Sequence, residues 1–549
     1  MSANTPASVL NANVRPAEFN VAATPDGKDS GRDWLTRHWR AALFFLFLIA
    51  FAVRLVFLEV APNNTTDAWS RYHYAVLWLQ NPTHLPIATS SDAWLPLHIW
   101  LLGVVLWLAK TETATRVFTA LLGSLTVVLC ASIFARIFSR RVGFVSALLL
   151  ALFGFHVAFS ITTSSEVPTI FFLAAGMYGW VRYAADDGRL WLALSGLALG
   201  AACLCRFEAW LVAPVLAFML LPLVGGSPEG SLKKAVKFAV VGCAASIFWL
   251  FFSLAKWGDA LELPHRTMWL NANFRPAVLH HGMVFRAFAV PGSLLISLSP
   301  LILTLAFVGV IAVIARGPSI ARAIAFVLIV LLLFNWWNSI RYETTQARYT
   351  LLYSWLFIPF AYESLCRLSK RWRWIAGRAA FAGVAAFFVI WQAGIILGAK
   401  YAPPVVADRL GVMSPLVPLG HELRALTDWL KLNVHTGKAI VLDDFNWDSP
   451  AIARFGNLDG ESTLEIRQQD YADRLFLKAT LNQFIATRRP GIVICSPYGP
   501  IGEIWKVDSQ TQISIGNPAM MLDLQWQSEH WRIYKISYPA SESQALLSR

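Results

Sequence analysis

The sequence predicts an all-α polytopic membrane domain of about eleven transmembrane helices, followed by a small extracytoplasmic α/β domain. Three observations carry this. The 549-residue chain is 56% hydrophobic and only 14% charged, where soluble proteins carry about a quarter charged residues, and its mean hydropathy is +0.52. Apolar runs of spanning length recur from about residue 41 to about residue 400. Beyond that the composition changes: short apolar runs ending in turn residues alternate with amphipathic stretches.

The residues before 41 are polar, contain Ala, Asn and Pro without periodicity, and read as a disordered cytoplasmic tail, 1–40. No cleavable signal is expected, because the first apolar run starts late and is long enough to span. Candidate spans fall near 41–60, 113–135, 142–161, 167–184, 190–205, 208–224, 235–255, 291–315, 320–337, 348–365 and 375–398. The run 94–109 is shorter and opens on Trp-Leu-Pro-Leu-His.

Charge decides what that short run does. If it does not cross, one side of the membrane collects Arg136, Arg140, Arg141, Arg182, Arg189, Lys233, Lys234, Lys237, Arg316, Arg322 and the Arg367 to Arg378 cluster, together with Arg32, Arg37 and Arg40. The positive-inside rule makes that side cytoplasmic. So 94–109 is expected to lie in the outer interface, with the N-terminus inside and the C-terminus outside. A membrane domain then covers 41–400, with a first external loop at 61–112, and an extracytoplasmic α/β domain covers 401–549. In that domain Lys438 to Leu442 and Gly491 to Cys495 read as short buried strands, and 420–433 and 471–487 as helices.

The formal net charge of +13 has the same explanation, and no nucleic-acid motif accompanies it. The six cysteines fall mostly in apolar runs, so no disulfide framework is expected. P-loop, HExxH, CxxC and nucleophile-elbow patterns are missing, which leaves ATPase, metalloprotease and serine-hydrolase readings without support.

The external edge keeps several ionisable residues despite the inside bias, and such residues near membrane depth are functional candidates. Asp67 opens an aromatic-rich stretch with Arg71 one helical turn on. A carboxylate there suits a general base, although Thr-Thr-Asp before a helical run is also an ordinary helix start. Asp92 has the same two readings. Arg206 and Arg348 stand at span ends, where a guanidinium either grips a phosphate through paired hydrogen bonds or snorkels to the headgroups. His265 and Arg266 lie in a later external loop.

Taken in order, these motifs resemble the polytopic glycosyltransferases of the C-type fold, among them the protein O-mannosyltransferases and the lipid A aminoarabinose transferase. AFAVRLVF carries Arg54 and TTDAWSRY carries Asp67. DAWLPLHIWLLG runs from Asp92 through His98, TATRVFTALLG carries Arg116, and TTSSEVPTIFF carries Glu166. CLCRFEAWL carries Arg206, and QARYTLLYSWLFIPF carries Arg348 and Tyr349. The resemblance spans about 40–400 and is clearest over 50–210. It implies a polyprenyl-phosphate sugar donor and an extracytoplasmic acceptor, with Asp67 as base and Arg206, Arg348 and Arg116 on the donor phosphate. Asp92, Arg71, His98, Glu166, Arg54, His265 and Arg266 become supporting candidates.

Two departures bear on specificity. Asp67 is followed by Ala68, where the protein mannosyltransferases carry an acidic pair, and Leu95 to Leu97 reads Leu-Pro-Leu where many relatives have Pro-Pro-Leu. No essential metal or cofactor is expected. The competing class is a transporter or flippase for a phosphate-bearing lipid or sugar; the internal repeats and paired interrupted helices that mark one are not apparent.

Overall fold

The computed structural model describes residues 34–61, 66–80, 82, 94–221, 228–265, 282–344, 346–371, 377–401, 421–434, 439–443, 448–458, 463–466, 474–507, 512–516 and 519–539. The helices are α1 Trp39–Val60, α2 Thr66–Gln80, α3 Leu97–Ala109, α4 Glu112–Ile137, α5 Arg140–Ala151, α6 Gly154–Ser160, α7 Glu166–Asp186 and α8 Arg189–Cys203. A 3₁₀ turn Phe207–Leu211 leads into α9 Val212–Phe218, followed by α10 Pro228–Trp257, α11 Met283–Leu298, α12 Pro300–Arg316 and α13 Ser319–Tyr342. A second 3₁₀ turn, Ala347–Thr350, opens α14 Leu351–Arg371, and α15 Gly377–Tyr401 closes the helical part.

Phe44, Phe45, Leu48 and Val56 stand exposed on α1, which suits a helix whose outer solvent is lipid. The chain is an integral membrane protein. Among the described residues four helices are long and apolar enough to cross, and six if each bent pair is one span. Several expected spans are shorter or broken. Residues 190–205 give the 15-residue α8, and 208–224 opens on a 3₁₀ turn. The expected 142–161 bends by 63° between α5 and α6, and 291–315 by 108° between α11 and α12.

Each bend frees backbone groups that hydrocarbon cannot solvate, so another part of the chain must satisfy them. One side chain serves both. Gln392 of α15 accepts from the Gly154 N–H at 3.1 Å through Oε1, and donates from Nε2 to the Ser297 carbonyl at 2.7 Å. At the second bend Ser299 takes φ +75°, its hydroxyl caps Ile302, and Pro300 starts the next helix.

The 13-residue α3 is too short to cross alone, at about 20 Å. It packs on α2 through Ile99, Leu102 and Leu106 against Tyr74 and Ala75. Gly103 permits this approach, because a Cβ there would meet the Trp78 ring.

The C-terminal region is the expected small α/β unit. Its order is α16 His421–Asn433, β1 Ile440–Leu442, α17 Ser449–Phe455, β2 Thr463–Glu465, α18 Arg474–Arg488, β3 Ile492–Cys495, α19 Pro500–Trp505, β4 Gln512–Gly516, β5 Ala519–Gln527 and β6 Arg532–Ser537. The sheet runs β2-β1-β3-β6-β5-β4. The first three strands are parallel and the remainder antiparallel. Strand alternation feeds two cores: Val441 and Val493 pack with Leu477 and Leu481 on one face, while Ile440, Leu442 and Ile494 pack with Leu426 and Leu430 on the other. The unit meets the helical part at α2, where Ala451 and Phe455 of α17 pack on Trp69 with ring centroids 5.5 Å apart.

A candidate active site at one end of the helices

Asp67 sits in the first turn of α2, and the i to i+4 spacing places Arg71 on the same face. Arg71 Nε donates to Asp67 Oδ2 at 2.8 Å, and Arg348 Nη1 lies 3.2 Å from the same oxygen. Among the described residues the carboxylate's partners are these two guanidiniums and no backbone N–H, so its contacts are those of an ion pair rather than of a helix cap. The α2 helix is held against the chain before α7 by Thr163, whose hydroxyl donates to the Ala68 carbonyl at 2.6 Å.

A second ion-pair group adjoins the first. Glu166, the first residue of α7, is fully buried and accepts from Arg206 Nη1 at 3.0 Å. Arg206 also donates to Glu208 at 2.7 Å and to the Ser165 hydroxyl at 3.3 Å. Arg348 joins the two groups, since its Nε stands 3.8 Å from Glu166 Oε1. Tyr349 lies between the two cations, with its ring centroid 5.2 Å from the Arg206 guanidinium and 5.4 Å from that of Arg348. Trp94 lies under Arg71 at 4.4 Å.

These residues line a cavity of about 330 Å³, which Asp67, Arg71, Arg206, Glu208, Arg348 and Tyr349 share with apolar walls from Leu95, Phe207 and Phe334. Among the described residues, four buried polar atoms around it have no hydrogen-bond partner: Arg71 Nη1, Arg348 Nε, Glu166 Oε2 and Thr344 Oγ1. Buried polar atoms of this kind are costly unless a ligand pairs with them. Burial alone would raise the Asp67 carboxyl, but Arg71, then Arg348 and Arg206, override it and hold it well below the usual carboxylate range. Asp67 is therefore fully ionised, and in this arrangement it is a weak base.

The other expected residues divide. Arg116, expected on the donor phosphate, bonds backbone carbonyls: Nε donates to the Ile161 carbonyl at 2.7 Å, and Nη2 to the carbonyls of Leu58 and Ala61. It fastens the end of α1 to the chain after α6, and it is not in the cavity lining. Arg54 is fully buried on α1, bonded to the Ala50 carbonyl at 2.8 Å and to His156 Nδ1 at 2.7 Å, away from the lining. His98 is fully buried on α3, and among the described residues neither ring nitrogen has a hydrogen-bond partner. His265 is half exposed and pairs locally with Asp259 at 2.6 Å. Asp92 and Arg266 lie outside the described residues. Among the described residues no three His, Cys, Asp or Glu side chains are grouped to hold a metal ion.

Beside Glu208, one of the charges at the external edge, the lining adds residues that sequence reasoning passed over, namely Asn335, Trp337 and Asn338. Their signal was present in Phe334-Asn335-Trp336-Trp337-Asn338, a polar pair inside an otherwise apolar run.

Residues 92–253 match the family model described as dolichyl-phosphate-mannose-protein mannosyltransferase. The apo structure of ArnT from Cupriavidus metallidurans aligns with a TM-score of 0.58 at 14% identity, over 90% of this chain and 97% of that one. ArnT bound to undecaprenyl phosphate aligns at 0.56, with the same identity and coverage. The oligosaccharyltransferase AglB from Archaeoglobus fulgidus, in complex with an inhibitory peptide and a dolichol-phosphate, aligns at 0.53 and 12% identity over 84% of this chain and 70% of that one. The fold is the C-type fold. No curated protein sequence matches the chain. The resemblance drawn from the ordered motifs thus holds for the fold, and the matched segment contains Arg116, Glu166 and Arg206.

Proposed function

We propose that this protein is an integral membrane glycosyltransferase. It moves a sugar from a polyprenyl-phosphate donor to a hydroxyl of an extracytoplasmic glycolipid, polysaccharide or protein, with inversion and with Asp67 as the base. We place it in a bacterial inner membrane, with a cytoplasmic tail at 1–40, a membrane domain at 41–400 and an extracytoplasmic α/β domain at 401–549. The observation that carries the reading is the meeting of Asp67, Arg206 and Arg348 on one cavity from three distant parts of the chain. Undecaprenyl phosphate in ArnT and dolichol-phosphate in AglB support a lipid-phosphate donor.

The ion pairs suggest how the cavity works. Arg348 is shared between Asp67 and Glu166. A donor phosphate competes for that guanidinium through paired hydrogen bonds, with Arg206 as its second cation. Once Arg348 turns to phosphate, Asp67 loses one of its two cations and becomes a stronger base. The acceptor oxygen then attacks the anomeric carbon and its proton passes to Asp67. The bond from that carbon to the phosphate oxygen breaks, and polyprenyl phosphate leaves with the electron pair, stabilised by the preorganised arginines. This coupling expects ordered kinetics with the donor first, which product-inhibition patterns decide; random order would remove it.

A transporter is the weaker reading, because these charges gather at helix ends rather than midway along the helices. The deciding experiment is transfer from radiolabelled polyprenyl-phosphate sugars by membranes that carry the protein.

A further inference from the structure

Asn335 stands out against its surroundings. It lies on α13, a helix apolar enough to cross a membrane, yet the residue is only 4% exposed and lines the cavity with Asp67, Arg206 and Arg348. A carboxamide in such a place is costly unless each of its polar atoms has a use. One of them does. The buried Tyr353 hydroxyl donates to Asn335 Oδ1 at 3.1 Å. That bond fixes the carboxamide: its oxygen faces Tyr353 and its two N–H donors face the other way. The amide nitrogen has no protein partner among the described residues.

We infer that Asn335 is a specificity-determining residue, whose amide donates to a ring hydroxyl of the sugar being transferred, with Tyr353 as the residue that positions it. The inference rests on the glycosyltransferase reading above. The division of labour follows from charge. Guanidiniums match a phosphate, whereas a neutral amide donor matches a hydroxyl oxygen, which accepts. The same amide excludes a cationic amino group at that ring position, since an ammonium offers only donors and would meet N–H with N–H, in a cavity already lined by Arg71, Arg206 and Arg348. Asn338, one turn further along α13, lines the same wall, and Trp337 beside it offers an apolar face to the ring C–H groups. The substrate class is therefore a polyprenyl-phosphate sugar with a free hydroxyl at the position Asn335 reads, not an amino sugar aminated there.

The test uses the full chain in its membrane and the undecaprenyl-phosphate sugar that wild type transfers best, compared with each of its monodeoxy versions and with the version aminated at the sensitive position. Wild type is expected to lose about tenfold or more in kcat/KM on one deoxy donor, because a site built to bond a hydroxyl leaves a buried donor unpaired without it. The aminated donor is expected to be at least as poor. In Asn335→Leu the ratio between parent and deoxy donor is expected to fall close to one, through loss on the parent. In Tyr353→Phe, which frees the carboxamide to rotate, the ratio is expected to shrink part of the way.

An unchanged ratio in Asn335→Leu would overturn the inference. So would an unchanged ratio in Tyr353→Phe if the leucine variant does not fold, or a wild type that treats every deoxy donor alike. No transfer by wild type from any undecaprenyl-phosphate sugar would instead remove the glycosyltransferase reading, and this inference with it.

Discussion

Arg206, Arg348 and Arg116 looked alike in the sequence, each an arginine at the end of an apolar run, and the structure gives them different work. Arg206 and Arg348 face the cavity, while Arg116 ends on three carbonyls. Arg206→Lys and Arg348→Lys are each expected to raise the donor KM about tenfold, since a lysine lacks the planar fork that grips phosphate. Arg116→Lys is expected to leave the donor KM within about twofold and to lower the amount of folded protein, because it loosens a backbone clamp. Donor titrations on matched membranes separate the two. Asp67, Arg206 and Arg348 were legible as candidates because they keep charge on the external edge against the inside bias. Asn335 was not, because an uncharged amide in an apolar run gives no sign of its partner until Tyr353 is seen beside it.

Proline shows why the helix breaks were harder to read than the helices. Pro291 and Pro359 lie inside continuous helices, yet Pro300 starts a new one at a 108° bend. The difference is Ser299 with φ +75°, a backbone state the sequence does not announce. The break is sustained by Gln392, whose carboxamide serves both bends. Gln392→Leu leaves a buried N–H and a buried C=O unmatched, each costing about 1–3 kcal/mol, so the variant is expected to melt several degrees lower. An unchanged melting temperature in detergent would contradict this role.

In the α/β unit, Glu422 of α16 bonds His530 Nδ1 at 2.8 Å and the His530 N–H at 2.6 Å. The hydrogen bond from Glu422 raises the His530 imidazole; burial raises Glu422, but its bonds to His530 and Ser528 override this and lower it. A raised histidine contributes stability below its unfolded value that fades as pH rises through the folded one. A lowered carboxylate contributes above its unfolded value and fades as pH falls through the folded one. The pair therefore stabilises most between about pH 5 and 7. Glu422→Gln is expected to lower the melting temperature at pH 6 and to make little difference at pH 9; an equal loss at both would sink the ionic part of the argument.

At the scale of the whole molecule, the α/β unit docks on the same helix that carries Asp67, through Phe455 and Ala451 on Trp69. Phe455→Ala is expected to lower kcat several-fold with donor KM nearly unchanged, because it loosens the seat of α2 without touching the arginines; a change in donor KM alone would contradict it. The order of helices, the short α3 beside α2 and the change of composition near residue 400 were all legible, because span length, charge bias and strand alternation are local patterns. The bends were not, because they depend on which backbone groups a distant side chain satisfies.

The most direct test is sugar transfer from radiolabelled polyprenyl-phosphate sugars in membranes carrying wild type or Asp67→Asn, matched for folded protein by melting temperature. Transfer by wild type with near-complete loss in the variant is the expected result. Equal transfer by both would contradict Asp67 as the base, and would leave the two arginines holding a carboxylate that takes no part in the chemistry.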